Sequence, residues 1–209
     1  MTQAFTFCPA EAHEYGHGAR LIMLTLHQFG DYLFGFGDHA RAEAALAKFF
    51  SLPANRFSHQ FTTFCQADGE VAGILMLFNC KQMRRSMVVT GAHMFRVYRF
   101  KEILKFLELM LPYRDEENIP DDELYIGHLA VYEQFRRQGF GLRLLEFAEK
   151  EAIDQGKNKL SLLTEIENVS AQALYKKFGF QVTDTILFPE QMRFVGSAGD
   201  VRMEKRLQN

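Results

Sequence analysis

Cysteine is scarce in this chain. Cys8, Cys65 and Cys80 are the only three in 209 residues, and their spacing matches no metal site, which excludes a disulfide scaffold and makes a reducing cytoplasm the expected setting. Neither sign of charge dominates. With 24 Lys and Arg against 26 Asp and Glu, the formal charge of −2 cannot drive phosphate neutralisation, so no nucleic-acid partner is expected. Long apolar runs are missing as well. The longest, Val71 to Phe78, interrupted by Gly73, falls far short of the roughly 20 residues of a bilayer span, so no membrane partner is expected. The opening MTQAFTFCPAEAHEY has neither the basic start nor the apolar stretch of an export signal. No internal repeat, low-complexity tract or linker divides the chain.

What is present is 47% apolar and 24% charged, the composition of one ordinary globular domain, here residues 1–209. Residues 4–8 alternate like a strand and stop at Pro9. An apolar face through Leu21, Ile22, Leu24, Leu26 and Phe29 predicts a helix from Glu11 to about Phe29, ending before Gly30. Asp38 is a candidate N-cap for a second helix to Phe50. Residues 59–66 and 70–79 read as a hairpin around Ala67-Asp68-Gly69. Helical spacing returns over 90–111 and Pro112 ends it. The acidic stretch 114–123 is predicted as a loop, and the cluster Lys81, Arg84 and Arg85 as a solvated bend. Strand 124–131, helix 139–155, strand 159–164, helix 169–178 and strands near 180–188 and 200–206 complete an α/β domain.

The chemistry concentrates in LAVYEQFRRQGFGLRLLEFA, residues 129–148. Here a strand passes into a helix through Arg136-Arg137-Gln138-Gly139-Phe140-Gly141. Glycines let backbone approach an anion, and the unpaired amides of a helix's first turn point at it. A lone Gly-x-Gly reads equally as a tight turn. The dinucleotide fingerprint is absent, since Leu144 stands where a third glycine would be, and the Walker Gly-Lys-Ser/Thr is missing too.

A second motif, Asn168-x-x-Ala171-x-x-x-Tyr175-x-x-x-Gly179-Phe180, follows Gly141 by 27 residues. Together the two motifs resemble the GNAT superfamily of acyl-CoA-dependent N-acyltransferases, specifically over residues 124–182 and loosely over the whole chain. The resemblance implies a mixed, mostly antiparallel central sheet flanked by helices (α/β, α+β), with the helix at 90–111 as an insertion that walls the acceptor site or mediates a homodimer. It implies acetyl-CoA as co-substrate, held through Leu129, Val131, Arg136, Arg137, Gln138, Gly139, Phe140, Gly141, Leu142 and Asn168. The acceptor would be a small-molecule amine or a peptide amine, without a metal. Two departures are visible: Glu133 replaces a frequent proline, and Arg137 stands where glycine is common.

By the same resemblance Tyr175 protonates the departing thiolate; its other reading is an aromatic packed on Phe178 and Phe180. The base is open. Tyr125 stands where many relatives carry glutamate, and His128 is the nearest ionisable alternative. On a regular strand His128 shares a face with Leu124 and Ile126, but a bulge would reverse that parity. Loss of the acidic base also fits a CoA-binding module without turnover. A further alternative is a zinc hydrolase, because His13-Glu14-Tyr15-Gly16-His17 matches H-E-x-x-H, although Gly16 and Gly18 weaken the helix that motif needs. Finally, the carboxylates Asp115, Glu116, Glu117, Asp121, Asp122 and Glu123 would attract a cationic amine if they bordered the cleft.

Overall fold

The computed structural model describes residues 5–111, 119–188 and 196–207. In chain order it contains β1 (Phe5–Pro9), α1 (Tyr15–Gly35), α2 (His39–Ser51), β2 (Thr62–Ala67), β3 (Glu70–Phe78), α3 (Cys80–Val97) and α4 (Phe100–Met110). Then come β4 (Glu123–Val131), α5 (Phe140–Asp154), β5 (Lys159–Glu165), α6 (Val169–Phe178), β6 (Gln181–Leu187) and β7 (Gly199–Arg206). Among the described residues the strands form one 7-stranded sheet in the order β1-β2-β3-β4-β5-β7-β6. Only β4 and β5 run parallel; the other neighbouring pairs are antiparallel. One apolar cluster joins α1 and α2 to the sheet through Phe64, Ile74, Met76 and Tyr125, and the other joins α5 through Leu75, Leu124, Ile126 and Leu162. No helix among the described residues is long and apolar enough to cross a membrane.

Local chemistry accounts for several boundaries. Asp38 caps α2 by accepting from the Arg41 amide at 2.7 Å. Asp68 and Gly69, at φ 50° and 85°, make the two-residue turn whose left-handed pair matches strand twist. Two expectations fail. The single helix over 90–111 is two helices, and the first begins ten residues earlier, at Cys80, where Asn79 and Gln82 form a capping box. Lys81, Arg84 and Arg85 therefore lie on its opening turns, not on a bend. The break falls at Tyr98, which turns extended (φ −124°, ψ 154°) and is buried with its hydroxyl donating to the Phe34 carbonyl at 2.8 Å. That anchor to α1 outweighs the helical periodicity of its neighbours.

The helix predicted to stop before Gly30 instead continues to Gly35, with a kink at His27 (φ 46°, ψ −134°). A Cβ at Gly30 would meet Met23 Sδ at 2.9 Å, so this glycine answers a packing constraint and terminates nothing.

Candidate active site

β4 and β5 pair only from Glu123 and Lys159 to Ile126 and Leu162. Beyond that point each strand turns to its other neighbour, β4 to β3 and β5 to β7, and a gap opens in the sheet. The cause lies in β4. Met76 faces His128 while Leu77 faces Ile126, which leaves Gly127 as an extra residue, a β-bulge. Glycine is required there, because a Cβ would meet Phe78 Cε2 at 2.7 Å. The bulge reverses parity: Tyr125 and Ala130 lie in the α1–α2 core, Leu124 and Ile126 in the α5 core, and Leu129 and Val131 pack against the latter. His128 consequently shares its face with Tyr125, not with Leu124 and Ile126.

A cavity of about 620 Å³ runs through this gap. Its lining includes Tyr125, Gly127, His128 and Leu129 from β4, Glu165 from β5, and Asn168 and Tyr175 at α6. Burial pushes the Tyr175 phenol up to about 12. Asn168 caps α6, its Oδ1 accepting from the Ala171 amide at 3.2 Å, so that its side-chain NH₂ takes no part in the cap.

At the far end of β4 the loop 136–139 leads into α5. Arg137 and Gly139 both take positive φ, 60° and 88°. Arg137 thus occupies a left-handed position that glycine fills more easily, at a cost of about 1–2 kcal/mol. No side chain caps α5, and its first backbone bond runs from the Arg143 amide to the Gly139 carbonyl at 3.1 Å. The amides of Phe140, Gly141 and Leu142 therefore precede the helical ladder and carry the positive end of its dipole. Arg136 reaches back, its Nε donating to the Val131 carbonyl at 3.1 Å, and Gln138 Nε2 donates to the Gln134 carbonyl at 2.8 Å. Gly141 serves packing: a Cβ would meet Leu174 Cδ2 of α6 at 3.0 Å. Phe140 is buried, whereas residues 136–139 are exposed.

Two histidines face the cavity with opposite character. His128 is 5% exposed, and burial together with the nearby Arg56 charge holds its ring down at about 3. His27, at the kink in α1, has Nδ1 3.0 Å from Glu165 Oε2. That hydrogen bond raises its pKa above the usual 6.5, against partial burial and the charge of Arg136. Sequence reasoning missed His27 and Glu165. They are 138 residues apart, and no periodicity announces a kink. A strained non-glycine backbone beside a cavity is the signal that finds them.

Other expected groups are elsewhere. His13 lies beside Glu11 on an exposed 3₁₀ turn, while His17 Nδ1 is 3.1 Å from the Tyr132 hydroxyl, so the H-E-x-x-H residues do not share one regular helix. Among the described residues no group of three His, Cys, Asp or Glu could hold a metal. Of the acidic stretch, Glu123 is buried at the start of β4 and paired with Arg202, and the Asp121 carbonyl accepts from Lys157 Nζ at 2.6 Å. This is the paired end of β4. None of Asp121, Asp122 and Glu123 is among the residues that line the cavity. Asp115, Glu116 and Glu117 lie outside the described residues.

Comparison with known proteins agrees with this geometry. The chain is 33% identical over 72 residues to an uncharacterized N-acetyltransferase, YycN, of Bacillus subtilis (strain 168), a match covering 34% of this chain and 46% of that protein's length. In fold, 97% of the chain superposes on the whole of an N-acetyltransferase from Staphylococcus aureus Mu50, with a TM-score of 0.73 at 19% identity. Likewise 98% superposes on 99% of PaiA N-acetyltransferase from Thermoplasma acidophilum, solved in complex with coenzyme A, with a TM-score of 0.55 at 12% identity. The profile of the Acetyltransferase (GNAT) family matches residues 25–180, which span the gap, the loop and α6, and the chain belongs to that family of acyl-CoA-dependent N-acetyltransferases.

Proposed function

We propose that this protein moves the acetyl group of acetyl-CoA directly onto a primary amine in a ternary complex. The observation that carries the reading is the gap between β4 and β5, which opens on the cavity and has the uncapped N-terminus of α5 beside it. The residues fit the cofactor. Amides of Gly139, Phe140, Gly141 and Leu142, with Arg137 and Gln138 beside them, would hold the pyrophosphate. The β4 edge at Leu129 and Val131 offers backbone to the pantetheine arm, with Arg136 steadying the Val131 carbonyl and Asn168 giving its NH₂. Acetyl-CoA supplies an acyl group already activated as a thioester.

An ammonium with a pKa near ~10 needs about 4 kcal/mol to reach its neutral form at pH 7. His27 is the base we assign, oriented by Glu165 and made more basic by it. His128 is the weaker base, because burial holds its ring down at about 3, and its unpaired Nε2 suits it to accept a hydrogen bond. Tyr175 donates to the departing sulfur. A phenol near 12 is a weak acid for a solvated thiolate of about 8.5, but burial raises thiols too. One proton leaves the attacking nitrogen and one reaches the sulfur, so acetyl transfer to the neutral amine consumes none.

Incubation with acetyl-CoA and a panel of amines tests the proposal. Free thiol and an amine heavier by one acetyl group should appear in equal amounts. CoA binding without either product would leave a binding module.

A further inference from the structure

We infer that the acceptor is a monoamine with an apolar body, aryl or alkyl, whose N–H or O–H donates to His128 Nε2; this rests on the N-acetyltransferase reading. The walls on the α1–α4 side are hydrocarbon and aromatic: Leu33, Phe34, Phe57, Met94, Ile103 and Phe106. Such a lining, in a cavity of about 620 Å³, suits a body that leaves water gladly and does not suit a polyamine. Phe95 and Leu107 line the same cavity while being 69% and 56% exposed, so its mouth is apolar as well. The charged groups in the lining are His27, Arg56, Glu165 and Asp200. Glu165 is bonded to His27, on the β5 side of the gap. Asp200 is the register partner of Glu165 on β7, so both carboxylates lie on that side, while Arg56 lies by His128, whose ring its charge depresses.

His128 supplies the specific contact. Thr25 Oγ1 donates its one proton to the Ile22 carbonyl at 2.7 Å. It must therefore accept from His128 Nδ1, 2.6 Å away, which fixes the proton on Nδ1 and leaves Nε2 as a bare lone pair. That atom is buried without a hydrogen-bond partner among the described residues, in a ring facing the cavity. A buried acceptor left unpaired destabilises the fold, and a donor carried in on an apolar body would satisfy it.

The test compares linear monoamines from butylamine to octylamine, phenethylamine, and spermidine as a cationic chain of comparable length. Each added methylene should raise kcat/KM about fourfold until the cavity is filled, with little response to salt, and spermidine should lag octylamine at least tenfold. Leu107→Glu, at the exposed mouth, should erase the octylamine advantage while CoA affinity stays as in wild type. Nitrogen-15 spectra of His128 should show Nδ1 protonated and the Nε2 signal moving when phenethylamine binds. Spermidine outrunning octylamine, a flat methylene series, or a rate that climbs with the acyl chain of the thioester instead of the amine would overturn the inference and leave acetyl transfer standing. Acetylation of no amine, with CoA still bound, would overturn acetyl transfer itself.

Discussion

On the α5–α6 side of the gap, the proposed cofactor contacts are mostly backbone: a left-handed glycine, an uncapped helix start and strand edges, all but Asn168 within residues 129–142. On the α1–α4 side the cavity is lined by side chains gathered from Leu24 to Met110 and from β4 and β5. The first kind of site depends on dihedral angles and tolerates most side chains around it. The second depends on which side chains the packing brings together, and its chemistry changes with each of them.

The contrast can be broken at Tyr175, where both sides meet. Tyr175→Phe should lower kcat by about 10²-fold with CoA affinity nearly intact, as measured by pre-steady-state turnover and calorimetry. Unaltered chemistry would make the residue an aromatic of the α5 core, where its ring already lies 5.9 Å from Phe180. Next in size, Gly139→Val forces a branched residue to φ 88°, a strain of at least about 1–2 kcal/mol, and should weaken CoA about tenfold. Gly141→Val should also weaken it, by pushing Leu174 and α6 away, while Arg137→Ala should do less than either. Equal affinities across the three would remove the backbone reading.

The side-chain half responds to pH. His128 is neutral in the fold, with a ring near 3 against about 6.5 unfolded, so its share of stability is present above 6.5 and lost as pH falls. Each pH unit below 6.5 should cost about 1.4 kcal/mol until the folded value is reached, and urea midpoints of His128→Phe should fall less steeply with acid. Identical slopes would mean that the ring is solvated. The smallest effect is expected at the His27–Glu165 pair. Its raised pKa means that its contribution to stability holds below 6.5 and fades as pH climbs through the folded value, whereas activity needs the neutral ring and rises over the same range. Glu165→Gln should move the rising limb of the kcat/KM profile down toward 6.5. An unmoved limb would assign the proton to another group.

The backbone half was legible in the chain because it is local. Arg136 to Gly141, the 27-residue step to Asn168 and the spacing to Tyr175 mark the loop and α6, and Asp68-Gly69 marks a hairpin turn. Capping is only half legible: Asp38 marks the start of α2, whereas Asn79 and Gln82 do not stand out, and with them the first ten residues of α3 are missed. The face of His128 was beyond local reading, since one inserted residue at Gly127 reverses every side chain that follows.

By itself, the sequence determined the strand and helix order of the second half, the anion-ready turn into α5 and the family pattern, because short-range periodicity, glycine dihedrals and helix-end chemistry are properties of a few consecutive residues. Tertiary structure alone decided the kink at His27, the turn at Tyr98, the burial of Glu123 against Arg202 and the pairing of His27 with Glu165. Each of these involves a partner far away in the chain, which the preferences of the residues on either side do not specify.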